Sequence, residues 1–279
     1  MKVSLIVNKD KKRAAETAAR AAELLLGSSA EVLTCADFPI DGTTVMDTAE
    51  DIIRECDIAV TVGGDGTIIH NAKFAAHYNK PLLGINLGRI GFVANIEPDE
   101  INELGKLVLG DYRIQRRMLL DITVDKDGRQ ESFTAMNEAV IHRDSLSNLV
   151  DISVELDDER IITYRADGML FSTPTGSTAY AFSAGGPVIQ PDMRCILLSP
   201  VCPHALSSRQ VVFGEDAVLS ASVHPHSTLK CYLTVDGQHH IPISSDDRIT
   251  VRKAKEELQL IILKEKNFYT LLNEKLKEI

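Results

Sequence analysis

Five consecutive residues, Gly63-Gly64-Asp65-Gly66-Thr67, set a carboxylate inside a glycine turn. The apolar run Ile58-Ala59-Val60-Thr61-Val62 before it has the composition of a buried strand in a parallel sheet. After it, Ile68, Ile69, Ala72, Ala75 and Ala76 fall at the spacing of one helix face. A strand, a glycine turn and a helix start leave several backbone N–H groups without intrahelical partners. Such a turn attracts anions, phosphates above all. Gly63, Gly64, Gly66 and Thr67 are therefore candidate phosphate binders. Asp65 opposes that charge and needs a reason of its own. As a helix N-cap it would bond to N–H groups one turn on. Flanked by glycines, with its carboxylate exposed, it would instead take a proton from an attacking hydroxyl or face a bound Mg²⁺. The flanking glycines favour the second reading, and both of its roles belong to phosphoryl transfer. The acceptor stays open.

Two further constellations carry polar chemistry. Asn137-Glu138 lies in an apparent strand Ala135 to His142. Neighbours in a regular strand point to opposite faces, so both serve one ligand only where the strand bends or ends. An amide beside a carboxylate suits ribose hydroxyls; the bland alternative is a half-exposed strand. The run Ala166 to Pro187 packs seven hydroxyl side chains and several glycines around Asp167, Thr178, Tyr180 and Ser183. It offers short donors and acceptors to a purine or a sugar, with Tyr180 as an aromatic contact. Its bland alternative is a hydroxyl-rich turn capping a helix. No G-x-x-x-x-G-K-[ST] and no G-x-G-x-x-G occurs, which argues against a P-loop enzyme and against a hydride-transferring dinucleotide enzyme.

The elements that must position these groups fall into two kinds. Strand-like runs at Val3 to Val7, Glu31 to Thr34, Ile58 to Val62 and Pro81 to Asn86 alternate with helical spacing. The helices are expected at Ala14 to Leu25 with Gly27 as cap, at about Met46 to Glu55, after Thr67, and from Pro98 to about Leu109. This βαβ order predicts an α/β domain with a doubly wound, Rossmann-like parallel sheet. From about Tyr112 period-two alternation takes over, as in Met118, Leu120, Ile122 and Val124, and again in Leu229 to Val235. A mostly-β second domain follows, with the boundary near residues 111–116. Its Asp127-Gly128 pair is a hairpin signal leading into Phe133 to His142. The last residues, Phe268 to Leu276, repeat apolar side chains at helical spacing and need a docking surface.

Composition bounds the function. The chain has 279 residues, 44% hydrophobic and 25% charged, enough for two cores. A net charge of −10 argues against nucleic-acid or membrane-surface partners. Any anionic ligand must then be held by local N–H groups, a few arginines or a metal ion. Five scattered cysteines without a C-x-x-C pair suit a reducing compartment. The opening apolar run is too short for a signal-peptide core, and no stretch has a membrane span's length, so a cytoplasmic location is expected.

Taken in order, Gly63-Gly64-Asp65-Gly66-Thr67, Gly88-Arg89-Ile90-Gly91-Phe92, Asn137-Glu138 and Thr173 to Tyr180 resemble the NAD kinase family. So do Ser183-Ala184-Gly185-Gly186-Pro187 and Pro200-Val201-Cys202-Pro203-His204, and the likeness runs from about Val3 to Leu276. The first motif is shared with lipid kinases; the Thr173 to Tyr180 segment is far more specific. The resemblance implies transfer of a phosphoryl group from ATP or another polyphosphate to the 2′-hydroxyl of the adenosine ribose of NAD, giving NADP. It implies a divalent metal ion, Mg²⁺ or Mn²⁺, accompanying the donor, and a homodimer or homotetramer whose site a neighbouring subunit completes. It also implies an α/β domain over 1–112, an all-β domain over 113–263 and a tail, 264–279, returning to the first domain. By resemblance Asp65 is the catalytic base and Gly66 sits beside the dinucleotide phosphates. Asn137 and Glu138 hold substrate hydroxyls, and Arg165 and Asp167 lie near the nicotinamide end. Thr178, Ala179, Tyr180 and Ser183 surround the ligand, Phe92 packs on the adenine, and Gln238 is a weaker contact. His70, one helical turn beyond Gly66, either faces the same pocket or is an exposed helix histidine. Ile90 stands where leucine is commoner in the family, and Gln210 where proline often follows the arginine.

Two other classes compete: a lipid kinase built on the first motif, and a dinucleotide-binding sensor without catalysis. The first needs an apolar entrance or basic patch that the composition lacks. Intact Asp65, Asn137 and Glu138 argue against the second. His224, His226 and the pair His239-His240 lack a carboxylate or cysteine at ligand spacing, so no protein-held metal site is expected. Cys202, between two prolines, reads as a packed thiol.

Overall fold

The computed structural model describes residues 1–88, 91–144, 148–205, 208–224 and 230–277. Arg89, Ile90, His226 and Leu229 of the readings above lie outside the described residues. The chain forms two compact units, Met1–Arg116 with Glu256–Ile279, and Arg117–Lys255.

In the first unit β1 (Lys2–Val7), α1 (Ala14–Gly27), β2 (Glu31–Cys35), β3 (Thr44–Met46), α2 (Ala49–Glu55), β4 (Ile58–Gly63), α3 (Asp65–His77) and β5 (Leu82–Asn86) follow in turn. The strands pair in parallel in the order β5-β4-β1-β2-β3. All six residues of β4 are buried, as befits a central strand covered on both faces. Val3, Leu5, Val60, Val62, Leu83 and Ile85 form its core with Ala21, Ala22 and Leu25 of α1. The order reverses between β1 and β4, because β1 leads outward to β2 while β4 leads to β5. Their following loops part at the carboxyl ends of the strands and open a crevice.

Three local expectations need correction. The helix expected from Met46 splits into β3 and a shorter α2, whose N-cap Thr48 accepts the Asp51 N–H at 3.1 Å. α1 runs through Gly27 to a cap at Ser28, with the left-handed turn at Ser29, φ 63°. The segment after Pro98 is a 3-10 helix, Pro98–Leu104, followed by a short α-helix, Gly105–Leu109. A terminal helix, Phe268–Lys277, closes this unit.

The second unit is all antiparallel strand apart from single helical turns. It contains β6 (Arg113–Lys126) beyond Arg116, β7 (Arg129–Ala135), β8 (Glu138–Arg143), β9 (Val150–Leu156) and β10 (Glu159–Ala166). β11 (Gly168–Ser172), β12 (Cys195–Val201), β13 (Val211–Gly214), β14 (Leu219–Val223), β15 (Cys231–Val235) and β16 (Ile241–Ile243) follow, then β17 (Arg248–Ile262), which leaves the unit after Lys255. One sheet runs β13-β12-β11-β8-β15-β16; β10, β9, β14 and β17 pair in the other. The inward residues Ile122, Ile141, Val154, Phe171, Leu198 and Leu233 form one core. The apparent strand Ala135 to His142 is broken: β7 stops at Ala135, Met136 and Asn137 bend, and β8 starts at Glu138. The strand interruption that the Asn137-Glu138 pair required is therefore present.

Candidate active site

The turn after β4 and the loop after β1 border a cavity of about 360 Å³ in the first unit. It is lined by Asn8, Lys11, Gly64, Asp65, Gly66, Thr67, Gly88, Gly91 and Lys275. Gly64 is the N-cap of α3 and carries no side chain, so no side chain caps the first helical N–H groups, although the Thr67 N–H bonds to Gly64 O at 2.9 Å. Asn8 donates to Thr67 Oγ1 at 3.3 Å and links the two loops. Of the four candidate phosphate binders, Gly64, Gly66 and Thr67 line the cavity, and Gly63 does not. Gly63 is buried at the end of β4, where a Cβ would overlap the Thr67 side chain. Its role is close packing. His70 is exposed on α3 and stands outside the lining.

Asp65 is neither exposed nor an N-cap. It is the first residue of α3, partly buried, and its carboxylate turns to the second glycine loop. Oδ2 accepts the Phe92 N–H at 2.7 Å; Oδ1 accepts those of Val93 and Ala94 at 3.3 and 3.2 Å. Gly91 makes this approach possible, since a Cβ there would overlap Oδ1. Asn86, which accepts the Gly88 N–H at 3.0 Å and donates to Glu97 at 3.2 Å, supports the loop's entry. A carboxylate offers about four lone-pair positions. Three are used, two on Oδ1 and one on Oδ2, which leaves Oδ2 able to accept one further donor. Fixed by three N–H bonds and bordering a cavity, that atom can accept a hydrogen bond from a hydroxyl.

Phe92 does not present a bare ring. Phe268 of the terminal helix packs against it with centroids 6.1 Å apart, and Lys275 Nζ sits 4.1 Å from its centroid. The tail thus docks on the second glycine loop of its own unit.

The second unit gathers another cluster. At the Met136-Asn137 bend, Asp236 accepts the N–H groups of Met136, Asn137 and Glu138 at 2.7, 2.8 and 3.0 Å. Asp236 itself has φ 48°, held by the turn into Gly237. Thr173 clasps the bend from the other side, donating its hydroxyl to Met136 O at 2.6 Å and its N–H to Asn137 O at 2.9 Å. Asn137 and Glu138 are 9% and 8% exposed. Burial, then the neighbouring Asp236, pushes the Glu138 carboxyl up to about 8, against the opposing Tyr180 N–H. Oε2 of Glu138 is buried without a hydrogen-bond partner. Near neutral pH Glu138 is therefore chiefly a carboxylic acid, able to donate as well as accept. Tyr180 is exposed beside it, its phenol pushed up by burial and by the charges of Cys202, Asp167 and Glu138.

Asp167 is not left open to a ligand alone. Arg143 Nε and Nη2 bond to its Oδ1 at 2.8 and 2.6 Å. Arg165 is exposed on β10, 4.0 Å from Asp151, and Ser183 and Gln238 are exposed on their turns. The hydroxyl-rich run is largely a staple. Ser172, Thr173 and Ser177 are buried and bond to backbone groups, including Ser177 with Pro174 O and Ile189. Thr178 donates to Thr175 O at 3.3 Å but stays partly exposed, as does Ala179. The accessible groups of the run that meet Glu138 and Asp167 are thus few, with Tyr180 foremost.

His224 bonds to Ser153 at 2.9 Å and His239 packs on Phe133, so neither is a ligand in waiting. Among the described residues no three His, Cys, Asp or Glu side chains are placed to hold a metal. Cys202 is exposed, with φ 47°, rather than packed. The residues that sequence reasoning missed are Asn8, Lys11, Lys275, Arg143 and Asp236. The Asp-Gly pair at Asp236-Gly237, a turn signal, could have pointed to one of them.

Comparison with known proteins finds matches for both parts of the chain. The family described as ATP-NAD kinase N-terminal domain matches residues 3–112, and ATP-NAD kinase C-terminal domain matches residues 136–263. The NAD kinase of Heliobacterium modesticaldum is 37% identical over 99% of this chain and 98% of its own. That of Natranaerobius thermophilus is 37% identical over 98% and 97%. In structure the chain is similar to yeast NADH kinase complexed with NADH, with TM-score 0.87, 24% identity and 99% and 87% of the two chains covered. It is also similar to an NAD kinase from Archaeoglobus fulgidus in complex with ATP, with TM-score 0.77, 24% identity and both chains covered in full. At that identity the two structures establish the shared fold.

Proposed function

The chain belongs to the NAD kinase family, and on that premise we propose how it phosphorylates NAD to NADP. The observation that carries the mechanism is the Asp65 carboxylate, fixed by three N–H bonds with one lone pair of Oδ2 left beside a glycine-lined cavity. Asp65 accepts the proton of the adenosine 2′-hydroxyl as that oxygen attacks the terminal phosphorus of ATP or another polyphosphate, whose terminal phosphoanhydride bond breaks to release ADP or the shortened polyphosphate. The uncapped N–H groups at the start of α3 and the Lys11 ammonium face the phosphates. In the second unit, Asn137, Glu138 and Tyr180 supply the amide, acid and aromatic groups that suit ribose hydroxyls and a ring. Catalysis rests on positioning and on charge placed in advance, as phosphoryl transfer requires.

A divalent metal ion, Mg²⁺ or Mn²⁺, would accompany the donor. Among the described residues the lining has one carboxylate, Asp65; with its remaining Oδ2 position given to the hydroxyl, it would contribute charge to such an ion rather than a direct bond. When bound, that ion would offset phosphate charge. The enzyme works in the cytoplasm as a homodimer or homotetramer, without nucleic-acid or membrane partners. The net charge of −10 and the free cysteines support this, and the family resemblance supports the oligomer. Incubating the purified chain with Mg-ATP and either NAD or diacylglycerol tests the assignment. NADP formation is the expected product; phosphorylation of the lipid alone would overturn it.

A further inference from the structure

The phosphate cavity holds a residue from the far end of the chain. Lys275 lies in the last turn of the terminal helix and lines the cavity together with Asp65, Gly64, Gly66 and Thr67. We infer that Lys275 is a phosphate ligand of this cavity, carried to it by the terminal helix and captured by a phosphoanhydride group. This inference rests on the kinase reading above and deepens it.

Three observations point the same way. The first is charge. A phosphoanhydride brings several negative charges to a cavity that already contains the Asp65 carboxylate. Among the described residues Lys11 and Lys275 are the cations of its lining, on a chain whose net charge is −10. Both side chains place positive charge at the cavity, where phosphate charge would concentrate.

The second is placement. The Lys275 ammonium is held over the Phe92 ring at 4.1 Å, and the Phe92 N–H is the shortest bond to Asp65, at 2.7 Å. The cation is thus parked next to the residue that orients the base. A cation–π contact at a partly exposed ring is weak beside a charge-assisted bond to phosphate. An entering phosphate can take the ammonium from the ring.

The third is the way the helix is mounted. Its start is fixed without help from a ligand. Asn267 Oδ1 accepts the Tyr269 and Thr270 N–H groups at 2.9 and 3.2 Å, and Lys266 pairs with Glu97 at 3.7 Å. Lys264 is bonded to Glu100, and its backbone N–H donates to Asn95 Oδ1 at 3.1 Å. Beyond that anchored base none of the helix's side chains is buried; Phe268, Leu271 and Leu272 are partly exposed. A helix pinned at its root and lightly packed along its length can swing its last turn at low cost. Lys275 is in that turn.

The test uses the full chain with Lys275→Gln and Lys275→Arg. Kinetics in ATP and in NAD separate the two sources of phosphoanhydride, the donor and the dinucleotide. Calorimetric binding of inorganic tripolyphosphate reads the contact without turnover. Losing one charge-assisted contact predicts a rise of about tenfold in the KM for ATP, for NAD or for both, and a similar weakening of tripolyphosphate. Lys275→Arg should restore these values to within about threefold, and the melting temperature should stay put, since the side chain supports no buried packing. A rise for ATP alone assigns the contact to the donor, and a rise for NAD alone assigns it to the dinucleotide. KM values and tripolyphosphate affinity within about twofold of wild type in Lys275→Gln would overturn the inference, as would an arginine variant no better than the glutamine one. A wild-type chain that makes no NADP would defeat the kinase reading instead, while tripolyphosphate binding still decides the role of Lys275.

Discussion

Glu138→Gln tests the most unusual electrostatic feature of the second unit. The Glu138 carboxyl is 8% exposed, and burial with Asp236 raises it from an ordinary 4.5 to about 8. Between those two values the folded chain keeps a proton that the unfolded chain has released. Unfolding then releases a proton, so stability is fully present below about pH 4.5 and is lost as pH rises to about 8. At about 1.4 kcal/mol for each pH unit, the loss over that window is on the order of 4–5 kcal/mol. Glutamine keeps the shape of the protonated acid and cannot titrate. The variant should lack this component and gain on wild type steadily from pH 5 to pH 8. The chain has no tryptophan, so the β-rich transition is best followed by circular dichroism in urea at several pH values. Parallel stability–pH curves for wild type and Glu138→Gln would refute the assignment of a buried, protonated Glu138.

Other outcomes follow from the same geometry. In Gly91→Ala the new methyl meets Asp65 Oδ1, so the loop or the carboxylate must shift. A displacement of about 1 Å at a reacting group predicts a fall in kcat on the order of 10²-fold, read in steady-state kinetics. An unchanged kcat would show that the N–H clasp does not position Asp65. Asp236→Ala strips the acceptor from three N–H groups at the Met136 to Glu138 bend. At roughly 1.5–3 kcal/mol for each bond to a charged group, reduced by partial access of water, a loss of about 3 kcal/mol or more is expected in urea unfolding. NAD affinity by calorimetry should fall with it, and a variant as stable as wild type would show the clasp to be idle. Cys202 is the exposed cysteine among the five, so the folded chain should take up about one equivalent of a thiol reagent quickly and the rest slowly. Rapid uptake at all five would contradict the burial of the others.

Much of this arrangement was legible because it is local. The parallel strands announce themselves as apolar runs, and the strand–turn–helix at Ile58 to His77 carries its own turn chemistry. Period-two alternation marks β6, β9 and β15. Three features were illegible for physical reasons. β3 spans three residues with no buried side chain, so no periodicity records it. The partners of Asp65 are backbone N–H groups of Phe92 to Ala94, and a backbone donor leaves no trace in residue type. The hydroxyl-rich run looked like ligand contacts, yet Ser172, Thr173 and Ser177 spend their hydroxyls on the surrounding backbone. Composition cannot separate a donor aimed at a ligand from one aimed inward. Lys275 was hidden for a fourth reason: only the return of the tail brings it to the cavity.

Whether Asp65 takes the proton of the attacking hydroxyl is decided by Asp65→Asn. With its side-chain oxygen toward Val93 and Ala94, asparagine keeps the bonds seen there at 3.3 and 3.2 Å and loses the one from Phe92 at 2.7 Å, so the cavity should persist. The measurement is the rate of NADP formation from NAD and Mg-ATP by wild type and variant, with melting curves as the control for folding. The expected result is a folded variant whose kcat falls by about 10²–10⁴-fold. A folded Asp65→Asn that makes NADP within about threefold of the wild-type rate would contradict it.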